Sequence, residues 1–169
     1  MTNILILGKS SQLGQTISLY EKKLINSKLF FLDIRSFDFK NYDLLNQNLN
    51  SFNFDILINF IAFTKVDEAE NNIKESFDLN VLLPSNILRY MNEKKKIFIH
   101  FSTDYVFDGL KNEEYVETDF KKPLNIYGEH KSKAENIILE SATKSIIIRT
   151  SGVYSKFGKN FVKTIIKKI

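Results

Sequence analysis

The sequence predicts an α/β domain built on a doubly wound parallel sheet with helices on both faces. Short apolar segments typical of buried strands alternate with longer segments whose apolar residues recur at helical spacing. The first apolar segment, Asn3–Gly8, ends in glycine and is followed directly by a helical pattern. Strands that alternate with helices in this way predict parallel pairing through right-handed crossovers.

Five segments carry the strand pattern. Each is short, rich in Ile, Leu or Phe, and bounded by polar or turn-forming residues. In chain order they are Asn3–Gly8, Leu29–Asp33, Asp55–Ala62, Ile97–Ser102 and Ser145–Thr150. Together with the intervening helices, they predict a Rossmann-like sheet.

The helical segments fall between these strands and after the last one. Helices are predicted over Ser11–Lys23, Asn41–Asn53, Glu70–Glu93 and Tyr127–Ser141, with a final amphipathic helix from about Asn160. Pro84 lacks an amide hydrogen, so it must kink or divide the third of these helices. The long irregular stretch, residues 103–126, follows the fourth strand, where parallel folds place their sites.

Composition excludes several classes of protein. The chain has 169 residues, 43% of them hydrophobic, no Cys and two His, which excludes disorder, disulfide scaffolds and thiolate metal sites. Five of its 24 basic residues lie in the last fourteen positions, leaving 19 basic against 20 acidic residues elsewhere. The charge therefore predicts no nucleic-acid partner, and no segment is long enough to span a membrane. We expect a cytoplasmic protein with no metal site.

The turn after the first strand, residues 8–14, reads GKSSQLG. Glycines at this point let backbone N–H groups and a helix N-terminus approach a pyrophosphate. The spacing would be that of a dinucleotide-binding fingerprint if Ser11 were Gly. The alternative is an ordinary tight turn.

The end of the second strand has features for either nicotinamide cofactor. Asp33 occupies the position from which a carboxylate accepts hydrogen bonds from an adenosine ribose, as in NADH binding. Arg35 and Ser36 follow and are suited to the 2′-phosphate of NADPH. The alternative for Asp33 is a helix or turn cap.

Tyr127 and Lys131 are four residues apart in a helical segment, so their side chains share a face. A nearby ammonium is expected to lower the pKa of the Tyr127 phenol toward neutrality. Such a phenol can protonate a ketone oxygen while hydride reaches the carbon from a nicotinamide. Thr103, which ends the fourth strand, can supply a second hydrogen bond to that oxygen. The alternative is a surface Tyr and Lys on an amphipathic helix.

Three other polar features have simpler interpretations. His100 lies in an apolar strand and is expected to be a core residue, whereas His130 is expected to face solvent. The acidic group Asp67, Glu68 and Glu70 is expected to be the solvated start of a helix rather than a cation site.

Motifs along almost the entire chain resemble those of the dTDP-4-dehydrorhamnose reductases and related sugar-nucleotide reductases, within the extended short-chain dehydrogenases. The most specific are Ser102–Gly109, which reads STDYVFDG, and Pro123–Lys131, which contains P-L-N-x-Y-G-x-x-K. Other matching positions are Asp33, Asn59, residues 66–70, Asn80, residues 117–119, Arg149–Ser151, Val153–Tyr154 and Asn160–Phe161.

The resemblance implies a role for each matching residue. Tyr127 would be the general acid, Lys131 its partner and a ribose ligand, and Thr103 the third member of a triad. Thr103 and Asp104 would touch the sugar. The positions implied for NADPH or NADH are Gly8, Ser10, Ser11, Gln12, Leu13, Gly14, Asp33, Arg35, Asp43, Leu44, Ala62, Phe63, Thr64, Tyr127 and Lys131. The implied reaction reduces the 4-keto group of a nucleotide-linked deoxysugar for surface polysaccharides, and a homodimer is possible.

Three departures qualify the resemblance. Ser11 replaces a glycine of the family pattern, and Gly152 replaces a tryptophan common in the rhamnose enzymes. The family's chains are longer, so we expect residues 1–169 to be a truncated NAD(P)-binding domain whose C-terminal substrate-binding lobe is absent. The alternative function is a non-catalytic binding or regulatory protein that keeps the reductase fold.

Overall fold

The computed structural model describes residues 1–158 and 160–166. Within them, five parallel strands form one sheet in the order β2-β1-β3-β4-β5. The strands are β1 Thr2–Leu7, β2 Ser27–Leu32, β3 Ile56–Asn59, β4 Ile97–Thr103 and β5 Ser145–Thr150. This sheet and its helices confirm the predicted Rossmann-like α/β class.

Helices connect the strands. They are α1 Gln12–Tyr20, α2 Tyr42–Asn50, α3 Val66–Ala69, α4 Ile73–Phe77, α5 Leu83–Lys94, α6 Ile126–Leu139 and α7 Phe161–Ile166. Single 3₁₀ turns cover Glu21–Lys23, Ile34–Ser36 and Asp104–Val106. The chain moves outward from β1 to β2 and then in the opposite direction through β3, β4 and β5. With right-handed crossovers, this reversal places helices on both faces and creates a crevice between β1 and β3.

The main core lies between the sheet and the helices of one face. Leu5, Leu57 and Phe98 from adjacent strands are fully buried with Leu45 of α2 and Ile87 of α5. Their segments are continuous apolar runs because a parallel sheet is covered on both sides. This packing holds the carboxyl ends of the strands in a fixed arrangement.

The helix predicted over Glu70–Glu93, with a kink or division at Pro84, is observed from Ile73 to Lys94. The helical chain from Ile73 to Lys94 widens into a π-helical turn at Asp78–Leu82, immediately before Pro84 in the first turn of α5. A proline ring clashes with the carbonyl four residues earlier in an α-helix, and the wider turn relieves that clash. Pro84 therefore divides the helix, as one of the two expected outcomes.

The third strand is shorter than the predicted Asp55–Ala62, since pairing ends at Asn59. The side-chain oxygen of Asn59 accepts a hydrogen bond from the Ile61 amide at 2.9 Å, so the chain turns out of the sheet there. The first helix likewise ends at Tyr20, and Glu21–Lys23 forms a 3₁₀ turn rather than α-helix.

The last described element is α7, whose Phe161 and Ile166 are 76% and 66% exposed. The basic C-terminal segment is described only in part, because Lys159, Lys167 and Lys168 lie outside the described residues. Among the described helices, none is both long and apolar enough to cross a bilayer.

Candidate active site

A cavity of about 580 Å³ opens beyond the carboxyl ends of the central strands. Segments distant in sequence converge on it: the turn after β1, the loop after β3, the end of β4, one face of α6 and the chain after β5. Its lining includes Ser11, Gln12, Leu13, Ala62, Thr64, Thr103, Asp104, Tyr105, Tyr127, Lys131, Thr150, Ser151 and Gly152. This is the position in which doubly wound sheets bind their ligands.

The turn from Gly8 to Gly14 is held by close backbone contacts. Gly8 has φ of +92°, a left-handed conformation that favours glycine. A Cβ on Gly14 would lie 2.1 Å from the Gly8 carbonyl oxygen, so only glycine fits there. Ser11 caps α1 by accepting a hydrogen bond from the Gly14 amide at 3.0 Å. The serine thus has a local structural role in place of the glycine of the family pattern.

Gln12 supplies an unsatisfied group to this cavity. Its side-chain nitrogen Nε2 is buried and makes no hydrogen bond within the described residues. A buried amide nitrogen without a partner costs free energy unless a ligand or water satisfies it. The turn therefore presents a donor that a bound polar molecule can use.

A second cavity, of about 420 Å³, lies at the end of β2 and is lined by Lys9, Ser10, Gln15, Phe31 and Asp33. Arg35 is paired with Asp33 at 2.6 Å, and its guanidinium lies 3.4 Å from the Ser10 hydroxyl. The hydrogen bonds from Arg35 lower the pKa of Asp33. The side chain of Ser36, also predicted for this site, lies outside the described part of the chain.

The loop Ala62–Phe63–Thr64 is fixed by Asn80 from the π-helical turn. The Asn80 side chain accepts a hydrogen bond from the Phe63 amide at 2.9 Å and donates one to the Phe63 carbonyl at 3.1 Å. Phe63 itself is buried, while Ala62 and Thr64 on either side line the larger cavity. Asn80 matched the family motif, but sequence reasoning assigned it no role. A polar residue inside the apolar run LNVLL was the available signal.

Tyr127 is held at the start of α6, where Asn125 caps the helix through the Gly128 amide. Burial raises the pKa of the Tyr127 phenol, although hydrogen bonding with Thr103 partly offsets that rise. The Thr103 hydroxyl donates to Asp104 at 3.0 Å. The phenol is therefore protonated at neutral pH and faces the Thr103 hydroxyl.

Lys131 is 1% exposed, and its amine contacts β4. Nζ donates to the Phe101 carbonyl at 2.5 Å and lies 3.1 Å from His100 Nε2. Burial lowers the pKa of Lys131 to about 8. The expectation that its ammonium lowers the pKa of Tyr127 is wrong for this structure, because desolvation dominates at both groups.

Several predicted residues lie elsewhere. Asp43 and Leu44 are exposed in the first turn of α2, where their amides are capped by Asn41, and neither lines the two cavities. His130 does not face solvent as predicted, because α4 covers it and its Nδ1 lies 2.8 Å from the Ser76 hydroxyl. His100 is buried with both ring nitrogens near polar partners, which confirms the expectation of a core residue.

An ion pair that the sequence reasoning missed fixes α6 against β5. Glu135 is fully buried and accepts two hydrogen bonds from Arg149, at 2.9 and 2.7 Å, with Lys121 at 3.1 Å. Burial alone would raise the pKa of Glu135, but Arg149 and Lys121 hold it below its ordinary value. The signal was a glutamate one helical turn beyond Lys131, on the same buried face.

The strand order and the position of the larger cavity define a Rossmann-like α/β protein with its candidate site at the sheet's carboxyl edge. Comparison with known proteins narrows this class. The chain belongs to the family described as "RmlD substrate binding domain", whose sequence model matches residues 1–169.

Curated relatives are similar along nearly the whole chain. A dTDP-4-dehydrorhamnose reductase from Aggregatibacter actinomycetemcomitans is 35% identical over 99% of the chain, and one from Escherichia coli is 37% identical over 98%. The chain spans only 57% and 56% of the lengths of these two relatives.

Solved structures are similar at the level of the backbone. A dTDP-4-dehydrorhamnose reductase from Bacillus anthracis, solved in complex with NADP, superposes with a TM-score of 0.91 at 31% identity. That superposition covers 99% of this chain and 60% of the other. The corresponding reductase from Clostridium acetobutylicum also has a TM-score of 0.91, at 32% identity, covering 99% of this chain and 59% of the other.

Proposed function

We propose that residues 1–169 form the dinucleotide-binding domain of an NAD(P)H-dependent reductase that acts on the 4-keto group of a nucleotide-linked deoxysugar. The observation that carries the proposal is a single cavity joining the Gly8–Gly14 turn to Thr103, Tyr127 and Lys131. The names of the relatives support the same reaction. A spore coat polysaccharide biosynthesis protein from Bacillus subtilis, 30% identical over 99% of the chain, supports a place in surface polysaccharide synthesis.

The residues present fit a dinucleotide. The unsatisfied Gln12 nitrogen and the N-terminus of α1 suit a pyrophosphate, and Ala62 and Thr64 line the wall for the nicotinamide half. The cavity beside Ser10 and Asp33 suits the adenosine. When bound, this cofactor supplies hydride to a carbonyl carbon.

Arg35 would decide between NADPH and NADH. Its pairing with Asp33 holds a cation beside the adenosine cavity, where it can turn to a 2′-phosphate. The same Asp33 carboxylate can accept ribose hydroxyls once Arg35 is displaced. We therefore propose that both cofactors bind and that Arg35 favours NADPH.

Residues of this chain would donate the proton that the reduction requires. Tyr127 is protonated at neutral pH and would donate its hydroxyl proton to the substrate oxygen as negative charge develops there. Thr103, whose hydroxyl proton is donated to Asp104 in the unliganded structure, would turn from that carboxylate to donate a second hydrogen bond to the same oxygen. Asp104 would then contact the sugar. Lys131, while it is charged, would stabilise the resulting phenolate.

A cellular location follows from this proposal. A reductase that consumes NAD(P)H and a sugar nucleotide would work in the cytoplasm, where both are available. A homodimer stays a prediction, which sedimentation of the purified chain tests.

Titration with NADPH, followed by addition of a dTDP-linked 4-keto-6-deoxyhexose, tests the proposal. We expect saturable binding of the dinucleotide, then loss of reduced-cofactor absorbance in proportion to the 4-hydroxy sugar formed. Binding of a protein partner with no dinucleotide binding would instead support a non-catalytic protein. Since the curated relatives are longer, the turnover arm is run both on this chain and on a fusion to the remaining length of the Escherichia coli relative.

A further inference from the structure

Behind the candidate site, a row of three polar side chains runs through the apolar sheet. Asn59 on β3, His100 on β4 and Lys131 on α6 are each 1% exposed. His100 Nδ1 lies 3.4 Å from the Asn59 amide nitrogen, and His100 Nε2 lies 3.1 Å from Lys131 Nζ. The ring thus separates Lys131 from Asn59 and contacts both.

The Asn59 amide can present only its nitrogen to the ring. Its oxygen accepts a hydrogen bond from the Ile61 amide at 2.9 Å, and a backbone N–H can only donate. The NH₂ group of Asn59 therefore points at His100 Nδ1, as a donor that requires an acceptor there.

The ring cannot satisfy both neighbours while Lys131 is charged. Buried at 1% exposure, the His100 ring is neutral, because desolvation holds its pKa well below the ordinary value. A neutral ring has one N–H and one acceptor nitrogen. If Nδ1 accepts from Asn59, then Nε2–H points at Lys131, whose amine must be uncharged to accept it. If Nε2 instead accepts from a Lys131 ammonium, Nδ1–H faces the NH₂ of Asn59, donor against donor.

We infer that Asn59 and His100 are positioning residues for Lys131, and that the His100 tautomer and the charge on Lys131 change together. When Lys131 is charged, His100 carries its proton on Nδ1. When Lys131 is uncharged, His100 carries its proton on Nε2. On loss of one proton to solvent, the pair passes from Lys131 ammonium with Nδ1–H to Lys131 amine with Nε2–H. The Asn59 amide favours the second state, since only there does its donor find an acceptor.

The charged groups around Lys131 and His100 have partners of their own. On α6 itself, Glu135 favours the ammonium, and it is also paired with Arg149 of β5 and with Lys121. Asp104, beyond the end of β4, is bonded to Thr103, and Asp78 of the π-helical turn is paired with Lys40. From α4, Ser76 meets His130 rather than His100.

The effect of this coupling on activity rests on the proposed function, whereas the coupling itself does not. Lys131 must be charged to stabilise a Tyr127 phenolate, so the ring tautomer would set the upper pH limit of the reduction. The coupling itself is a property of the folded chain and needs neither cofactor nor substrate.

Nitrogen-15 NMR of the unliganded protein tests the coupling directly. The sequence has two histidines, so selective labelling gives two ring systems, and His100→Gln identifies the relevant one. As pH rises, we expect the His100 ring to pass from Nδ1–H to Nε2–H over the interval in which Lys131 Nζ loses its proton. One unchanged tautomer throughout the Lys131 titration would overturn the inference.

The Asn59→Asp variant tests whether the His100 tautomer controls the proton affinity of Lys131. The carboxylate still accepts from the Ile61 amide but now accepts from Nδ1–H as well, which fixes Nε2 as an acceptor for the ammonium. We expect the proton affinity of Lys131 to rise at least about tenfold. In the His100→Phe background, which has no ring nitrogen to transmit the change, most of that rise should vanish. A rise of the same size in both backgrounds would contradict relay through the ring.

The pH profile links the coupling to activity. In Asn59→Asp, the alkaline limb of turnover should move upward together with the Lys131 midpoint. If the Lys131 titration midpoint rises and the alkaline limb of turnover does not, Lys131 does not set the upper pH limit of the reduction. Failure of NADPH binding, by contrast, would remove the proposed function and leave the NMR result standing.

Discussion

Tyr127 and Lys131 share a face of α6, yet burial shifts their pKa values in opposite directions. The phenol is held in its protonated form, while the ammonium is made easier to deprotonate. A buried neutral acid and a buried base of lowered pKa are the combination expected for proton transfer near pH 7.

Replacing Tyr127 by Phe removes the proton donor but keeps the ring that packs on Tyr105. We expect turnover to fall about 100-fold or more and NADPH affinity to change little. Steady-state kinetics and calorimetry measure the two effects. Tyr154→Phe, at a 71% exposed tyrosine, is the matched control, and equal turnover in both variants would refute the role of Tyr127.

Lys131→Met tests the cost of burying the amine. The pKa of Lys131 falls from 10.5 to about 8 on folding, so the unfolded chain binds more protons between these values. Stability of the natural chain therefore rises with pH over that interval. Compared with the Lys131→Met variant, the natural chain should gain up to about 3 kcal/mol in unfolding free energy between pH 8 and 10.5. Urea unfolding of both chains at each pH measures this gain. A constant difference across that range would show that Lys131 is not desolvated.

At the scale of elements, α1 sits against β1 by a contact that only glycine permits. Gly14→Ala would place a Cβ 2.1 Å from the Gly8 oxygen and so displace the helix. We expect a loss of about 1–3 kcal/mol in unfolding free energy, together with weaker NADPH binding. Gly152→Ala, whose Cβ meets nothing within 4 Å, should leave stability unchanged. Equal stability of the two variants would contradict the tight packing.

The π-helical turn places the Asn80 side chain where it forms two hydrogen bonds with the Phe63 backbone. Asn80→Ala would leave a buried N–H and a buried carbonyl without that partner, at a cost of about 2 kcal/mol or more. Asn92→Ala, at an exposed position of the same helical chain, is the control. Chemical denaturation of both variants measures the difference, and no difference would mean that the loop is held elsewhere.

Sequence patterns predicted the strands better than the points where they end. The Ser145–Thr150 strand has the predicted bounds because a continuous apolar run coincides with its pairing. The third strand stops early because the Asn59 side chain competes for the Ile61 amide, a tertiary choice that propensity does not encode. His130 was misplaced for a similar reason, since the covering α4 comes from a distant segment.

At the scale of the whole molecule, the sheet order brings together what the sequence separates. Ser11 and Thr103 line the same cavity because β1, β3 and β4 are neighbours in the sheet. The glycine turn and the Tyr-Lys motif could be predicted from their spacing only together with their places, between a strand and a helix and within a helical segment. By contrast, Asp43 and Leu44 are exposed because of the way α2 packs. That packing cannot be predicted from a local sequence motif.

Calorimetric titration of the folded chain with NADPH, and in parallel with NADH, tests whether this domain binds a nicotinamide dinucleotide. We predict saturable binding at one site in the micromolar range, retained in Tyr127→Phe and accompanied by a rise in melting temperature. We also predict that Arg35→Ala weakens NADPH more than NADH. Absence of saturable binding by either dinucleotide at millimolar concentration, in a chain shown to be folded, would contradict the proposed function.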